Sequence, residues 1–304
     1  MSKGRLIFLL LILLGGGLVV YALYKNKLHP ALGPSFAPAF QLLGKSTRAL
    51  NIALTRILPI DKMDEKAYGE AIAMSYLSGA NLKDTDYVYL NKLIKNIASF
   101  SKKGFNYHVF VISTPIPNAF ALPGGVICVT NGLLKTLKSE AQMISVLSHE
   151  MGHIERGHCF EAIKYELMFR KIKAPTIGQL ADFAFNLCLR HSYSKTQEND
   201  ADEYGYDLLL LTKYDPMACS TAFIELQRQE GNQIPPSATI VSDYFSTHPP
   251  LPLRIQKFSE AASAWWNTNK DLVKRYVGIK NLNARIPLSE HSFENEWIRN
   301  AIHS

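Results

Sequence analysis

The chain has 304 residues, 47% of them hydrophobic and 19% charged, which suits a globular protein with a buried core and excludes a largely disordered one. That length holds one sizeable domain with appendages, or two small ones. The formal charge of +7 is a modest basic bias that suits an anionic lipid surface, and without a dense Lys/Arg block with interleaved aromatics nucleic-acid binding is not expected.

Leu6 to Tyr24 carries no charged residue and is bracketed by Lys3 and Arg5 before it and Lys25 and Lys27 after it. At about 1.5 Å per residue a helix over this run spans roughly 28 Å, close to a bilayer core. A cleaved signal peptide is the competing reading, but its apolar region is shorter and Val20-Tyr21-Ala22 is a poor small-x-small site. Residues 1–24 are therefore expected to be a single anchor that leaves the rest of the chain on one side of the membrane, the extracytoplasmic side by its signal-like start. Residues 25–62 contain Pro30, Pro34, Pro38 and Pro59 and read as a linker. Within it, Phe40 to Leu58 is apolar with Lys45, Arg48 and Arg56, a pattern open to a surface-bound amphipathic helix or to an ordinary packed one.

The body of the protein is expected over 63–266. Two helices are predicted between Asp64 and Ser101, the second with its inner face on Tyr87, Leu90, Ile94, Ile97 and Ser101. Tyr107 to Ser113 reads as a buried strand, and Ala119 to Thr130 as a second one interrupted by Pro123-Gly124-Gly125. Helices are then predicted over Ser139–His158, Thr176–Arg190, Gln197–Thr212, Pro216–Gln229 and Pro252–Trp266. A small sheet followed by helices gives an α+β class, mainly helical. Residues 267–304 read as a C-terminal extension without recognisable chemistry. Cys128, Cys159, Cys188 and Cys219 form no C-x-x-C pair, which leaves buried thiols and disulfides both open.

The chemistry centres on His149-Glu150-Met151-Gly152-His153. Residues i and i+4 of a helix project from one face, so His149 and His153 can converge on one metal ion, and zinc favours such nitrogen donors. Glu150 points to a neighbouring direction, from which it can take a proton from water as a general base. Met143, Ile144, Val146, Leu147 and Met151 make the helix strongly apolar, so these histidines sit on a buried element and need partners. Gly152 removes a side chain where another segment can approach. Forty-five residues beyond His153, Glu198 and Asp202 share a helix face, and one of the two can ligate the metal while the other orients a ligand histidine.

Four blocks in this order resemble the membrane-associated gluzincin metallopeptidases, the family that contains HtpX, the CAAX prenyl proteases, and the Oma-type and periplasmic assembly-factor proteases. They are Asn118 to Gly125, Ser139 to His158, Ser194 to Asp202, and His248-Pro249-Pro250 with Arg254-Ile255. The resemblance implies a zincin-type domain with one Zn2+ per chain, held by His149, His153 and Glu198, with Glu150 as the base. It implies Asp202 as the residue that orients a ligand histidine and His248 as the electrophile beside the substrate carbonyl. Asn118, Ala119, Phe120 and Ala121 would form the edge against which an extended protein or peptide substrate lies. Lys195 stands where the family usually has Arg, keeping the charge but not the planar fork. His158 is expected near the ligands or in a structural role, and His191 as an ordinary residue. The implied function is a zinc metalloendopeptidase at the membrane or in the cell envelope, in protein quality control. The alternative is a zinc-binding chaperone or scaffold with latent or little peptidase activity. The single apolar run argues against the prenyl-protease branch, and the sequence does not indicate an oligomeric state.

Overall fold

The computed structural model describes residues 64–79, 81–170, 184–188, 192–230, 248, 251–269 and 273–299. The expected anchor at Leu6–Tyr24, the Phe40–Leu58 segment, most of the predicted Thr176–Arg190 helix and His191 lie outside the described residues. No helix among the described residues is long and apolar enough to cross a membrane.

Two helices open the described chain, α1 (Asp64–Gly79) and α2 (Thr85–Ala98). Asp84 starts α2 by accepting a hydrogen bond from the Tyr87 amide at 3.0 Å, which satisfies one otherwise orphaned N–H. The buried face of α2 is Tyr89, Leu90, Leu93, Ile94 and Ile97, a wider stripe than the expected one. Tyr87 sits at its margin and Ser101 lies beyond the helix end.

Three strands follow: β1 (His108–Ile112), β2 (Ala119–Leu122) and β3 (Val126–Thr130). Their order is β1-β3-β2, with β3 parallel to β1 and antiparallel to β2. The expected second strand is thus a hairpin. Gly124 and Gly125 have φ of +74° and +100°, which non-glycine residues rarely adopt, and the chain reverses there instead of merely bending. All five residues of β3 are buried, as its central place requires.

The short α3 (Asn131–Thr136) leads into α4 (Glu140–Glu155), the helix that carries His149, Glu150 and His153. Ser139 caps α4 by accepting from the Gln142 amide, and every residue from Glu140 to Ile154 is buried. Where one helix was predicted over Ser139–His158 there are two. Gly157 takes φ +78°, a left-handed conformation that stops α4, and α5 (His158–Arg170) begins at the next residue. This turn folds His158 back towards His153.

After α5 come α6 (Lys195–Leu211), α7 (Ala218–Glu230) and α8 (Leu251–Asn269). α6 begins with a reciprocal cap in which Ser194 and Gln197 each bond the other's backbone amide. It packs directly across α4, and two glycines set the distance. A Cβ on Gly152 would stand 2.7 Å from the Ala201 carbonyl oxygen, and one on Gly205 2.9 Å from the His149 amide nitrogen. Gly152→Ala improves helix propensity by about 1 kcal/mol yet forces backbone apart, so a net loss of about 1–3 kcal/mol in denaturant unfolding is expected. A variant as stable as the wild type would show that this contact does not set the helix spacing.

The expected C-terminal extension belongs to the same compact unit as the helices. Its strands β4 (Arg275–Tyr276) and β5 (Trp297–Ile298) pair antiparallel, with α9 (Ile279–Ala284) between them. The carbonyls of Gly278 and Val277 accept from the amides of Glu140 and Ala141 at 2.9 and 3.1 Å, closing the N-terminus of α4. The buried Glu140 carboxylate completes the joint. It accepts from Tyr89 at 2.7 Å, from Tyr214 at 2.5 Å and from the Leu288 amide at 2.8 Å. A buried charge needs such donors.

Candidate metal centre

His149 and His153 project from one face of α4, and α6 brings Glu198 and Asp202 against them. His248, just before α8, closes the group. All of these side chains are buried. The donor atoms converge: His149 Nε2 lies 3.2 Å from His153 Nε2 and 3.3 Å from His248 Nδ1, and Glu198 Oε1 lies 3.4 Å from His153 Nε2 and 2.8 Å from His248 Nδ1. One donor atom from each of His149, His153, Glu198 and His248 falls within 4.8 Å of all the others.

The spacings of 3.2 to 3.4 Å fit a zinc ion, whereas the 2.8 Å between Glu198 Oε1 and His248 Nδ1 is a hydrogen-bond distance and Glu198 comes no nearer than 3.8 Å to His149 Nε2. Nitrogen donors 2.0–2.1 Å from a tetrahedral zinc stand roughly 3.3 Å apart. Lone pairs aimed at one another in a buried space repel unless a cation lies between them. The outer ring nitrogens support the same assignment. His149 Nδ1 lies 2.9 Å from Asp202 Oδ1, and with the proton on that nitrogen Nε2 is left as a donor to metal. His153 Nδ1 meets His158 Nδ1 at 3.1 Å, and with His153 as the proton donor its Nε2 is free in the same way. The Tyr193 ring stacks on His153 at 3.8 Å between centroids and an angle of 23°, fixing the plane of that imidazole.

Protonation follows from the surroundings. Burial holds His153 well below the ordinary imidazole range and lowers His158 to about 4. Burial by itself would raise Glu198, but His248 and His153 overcome it and hold the carboxyl well below the usual range. Asp202 is likewise lowered against burial by Arg254 and His149. A neutral imidazole beside an ionised carboxylate is the state that metal ligands require. Burial pushes the Glu150 carboxyl up, partly offset by His248 and His149. His248 is raised because Glu198 and Glu150 outweigh its burial.

Glu150 stands apart from the donor cluster, as its place in the motif suggests. Neither of its oxygens accepts a hydrogen bond from the described residues, and Oε1 lies 3.6 Å from His248 Nε2. A buried carboxylate without donors is costly and suits a group that meets water or substrate.

A sequence profile described as Peptidase family M48 matches residues 88–262, more than half of the chain. The protein belongs to peptidase family M48. Its similar relatives include the mitochondrial metalloendopeptidase OMA1 of Arabidopsis thaliana, 34% identical over 151 residues that cover 48% of this chain and 30% of that protein. OMA1 of Schizosaccharomyces pombe is 31% identical over 180 residues, 57% of this chain and 52% of the relative. The metalloprotease LoiP of Escherichia coli is 29% identical over 170 residues, 52% and 63% of the two chains. The M48 chain thus spans less than two thirds of the length of each.

Within this M48 fold every predicted catalytic, metal-binding and substrate-edge residue lies among the described residues. His149, His153, Glu198, Asp202 and His248 come together, with Glu150 beside them. His248 was expected next to a substrate carbonyl; its Nδ1 stands among the donor atoms, while its Nε2 faces Glu150. Asn118, Ala119, Phe120 and Ala121 lie at and on β2, which pairs only with β3 among the described residues and packs against α4. All four are buried. Lys195 is exposed at the start of α6. Sequence reading gave no role to Tyr193, which directly precedes the Ser194 block, or to Arg254, which lies within the last block. A cation among apolar residues six positions after His248 was the available signal for Arg254.

Proposed function

We propose that this M48 protein is a zinc-dependent metalloendopeptidase, with one zinc held by His149, His153 and Glu198. The observation that carries this reading is the convergence of buried His149, His153 and Glu198 donor atoms within 4.8 Å of one another, beside a buried carboxylate that accepts no hydrogen bond from the described residues. When bound, zinc supplies Lewis acidity, which acidifies a water and polarises a carbonyl. Glu150 takes the proton of the attacking water and delivers it to the leaving amine. Asp202 holds His149 in the tautomer and orientation that ligation needs. Asn118–Ala121, at a strand that pairs only with β3 among the described residues, are the segment that the family resemblance assigns to an extended protein substrate.

His248 Nδ1, the fourth donor of the group, could hold a metal as an additional ligand, which would close a tetrahedral site that catalysis needs open. Outside the ligand set, the same imidazole would be placed to donate a hydrogen bond to the developing oxyanion. A scaffold without peptidase chemistry is less well supported, since it has no use for the buried Glu150. The apolar Leu6–Tyr24 run suits a single membrane anchor, and the names of the OMA1 relatives point to internal cleavage. Protein substrates at a membrane or envelope surface fit both, and a role in quality control rests on the family resemblance.

Incubating the purified chain with an unfolded protein such as casein tests the reading. Internal fragments are expected by mass spectrometry, lost on zinc chelation and restored by added zinc. Cleavage that persists through chelation defeats it.

A further inference from the structure

Arg254, in the first turns of α8, is buried with its guanidinium in the carboxylate group behind the donor cluster. Its Nε and one terminal nitrogen donate to the two oxygens of Asp202 at 2.8 and 2.6 Å, a bidentate fork. The other terminal nitrogen lies 3.0 Å from Glu198 Oε2 and donates to the His248 carbonyl at 3.3 Å. Phe223 of α7 covers the ion, with the guanidinium carbon 4.2 Å from the ring centroid. One planar cation therefore touches the carboxylate that orients His149, the carboxylate proposed as a ligand, and the backbone of the loop residue that completes the cluster.

Two consequences follow from that geometry. Glu150, Glu198 and Asp202 place three buried carboxylates in one small volume, and Arg254 is the only Lys or Arg ion-paired with Glu198 or Asp202 among the described residues. Zinc cannot neutralise all three carboxylates by itself. The positions of the two Glu198 oxygens also differ: Oε1 lies 3.4 Å from His153 Nε2 and 2.8 Å from His248 Nδ1, while Oε2 lies 3.0 Å from Arg254 and 3.8 Å from His149 Nε2. Carboxylates bind metals through one oxygen or two, and an ion pair on the far oxygen favours one.

We infer that Arg254 is the positioning residue of the metal centre: it sets the zinc affinity and keeps Glu198 a one-oxygen ligand by gripping Asp202, Glu198 and the His248 carbonyl together. The inference rests on the zinc-peptidase reading and adds a residue to it. Lysine cannot replace Arg254, because a point charge lacks the fork that binds both Asp202 oxygens.

The test uses the full chain, stripped of metal, with Arg254→Lys and Arg254→Gln beside the wild type. Competition against a chromophoric chelator is expected to show zinc binding weakened about 10–100-fold in both variants. The visible spectrum of the cobalt(II)-loaded protein is expected to lose intensity in the variants as the freed Glu198 oxygen raises the coordination number. A purely structural role for Arg254 predicts instead a lower melting temperature of the metal-free chain with unchanged zinc affinity and cobalt spectrum, and that result overturns the inference. Wild-type affinity in Arg254→Lys overturns it too, whether or not Arg254→Gln folds. A folded wild-type chain that binds no zinc sinks the peptidase reading, and the inference with it.

Discussion

Glu150→Gln is expected to keep zinc bound and to lower peptide cleavage by about 10²- to 10⁴-fold, the usual contribution of a positioned general base. The substitution preserves shape and removes only the ability to take a proton. Glu150 is fully buried, and its oxygens accept no hydrogen bond from the described residues, so the amide breaks no network in that part of the fold. The donor nitrogens of His149 and His153 and the Glu198 oxygen face one another and not Glu150, which is why zinc content should hold. The measurement is kcat/KM on an internally quenched peptide, with metal analysis of the same preparation. Undiminished cleavage would remove Glu150 from the mechanism. Lost activity accompanied by lost zinc would make it a ligand instead of a base.

Glu198→Ala has the opposite signature, with loss of the metal and of stability together. Near one zinc per wild-type chain and much less in the variant is the expected metal content. Removing this carboxylate also strips His248 of its 2.8 Å partner and Arg254 of its 3.0 Å one. Breaking a buried ion pair from one side typically costs 3–5 kcal/mol, and zinc binding no longer adds to folding. Thermal unfolding of metal-free and zinc-loaded samples separates the two effects. Added zinc should raise the wild-type melting temperature strongly and that of the variant little. A variant that still holds one tightly bound zinc would assign the carboxylate ligand to another residue.

Gly152 and Gly157 show how far local reading reaches. The H-E-x-x-H spacing is legible because a helix presents i and i+4 on one face whatever it packs against, so His149, His153 and Glu150 were placed by sequence alone. Gly152 also announced a close approach, and α6 makes it at Ala201. Gly157 lies in the same predicted helix, and its left-handed turn, which splits Ser139–His158 into two helices, was missed. A lone glycine near a helix end reads equally well as a tolerated interior residue or as a stop. The residues past 267 lacked a pattern for a different reason. What they give the start of α4, two backbone carbonyls on its first amides and an amide on Glu140, is made by main chain and leaves little trace in side-chain type.

The sequence by itself determined the helical α+β class, the two imidazoles with the carboxylate between them, and the pair Glu198 and Asp202 on a second helix. Each of these is a relation among residues within one turn or a few turns of one element, where helix geometry alone dictates which side chains are neighbours. Only the tertiary structure decided that Glu198 faces the histidines while Asp202 takes His149 Nδ1, that His248 Nδ1 enters the donor cluster, and that Arg254 ties both carboxylates to it. Those contacts join residues about fifty to a hundred positions apart. They depend on how α4, α6 and α8 settle against one another, at a distance set by Gly152 and Gly205, and no local pattern encodes that packing.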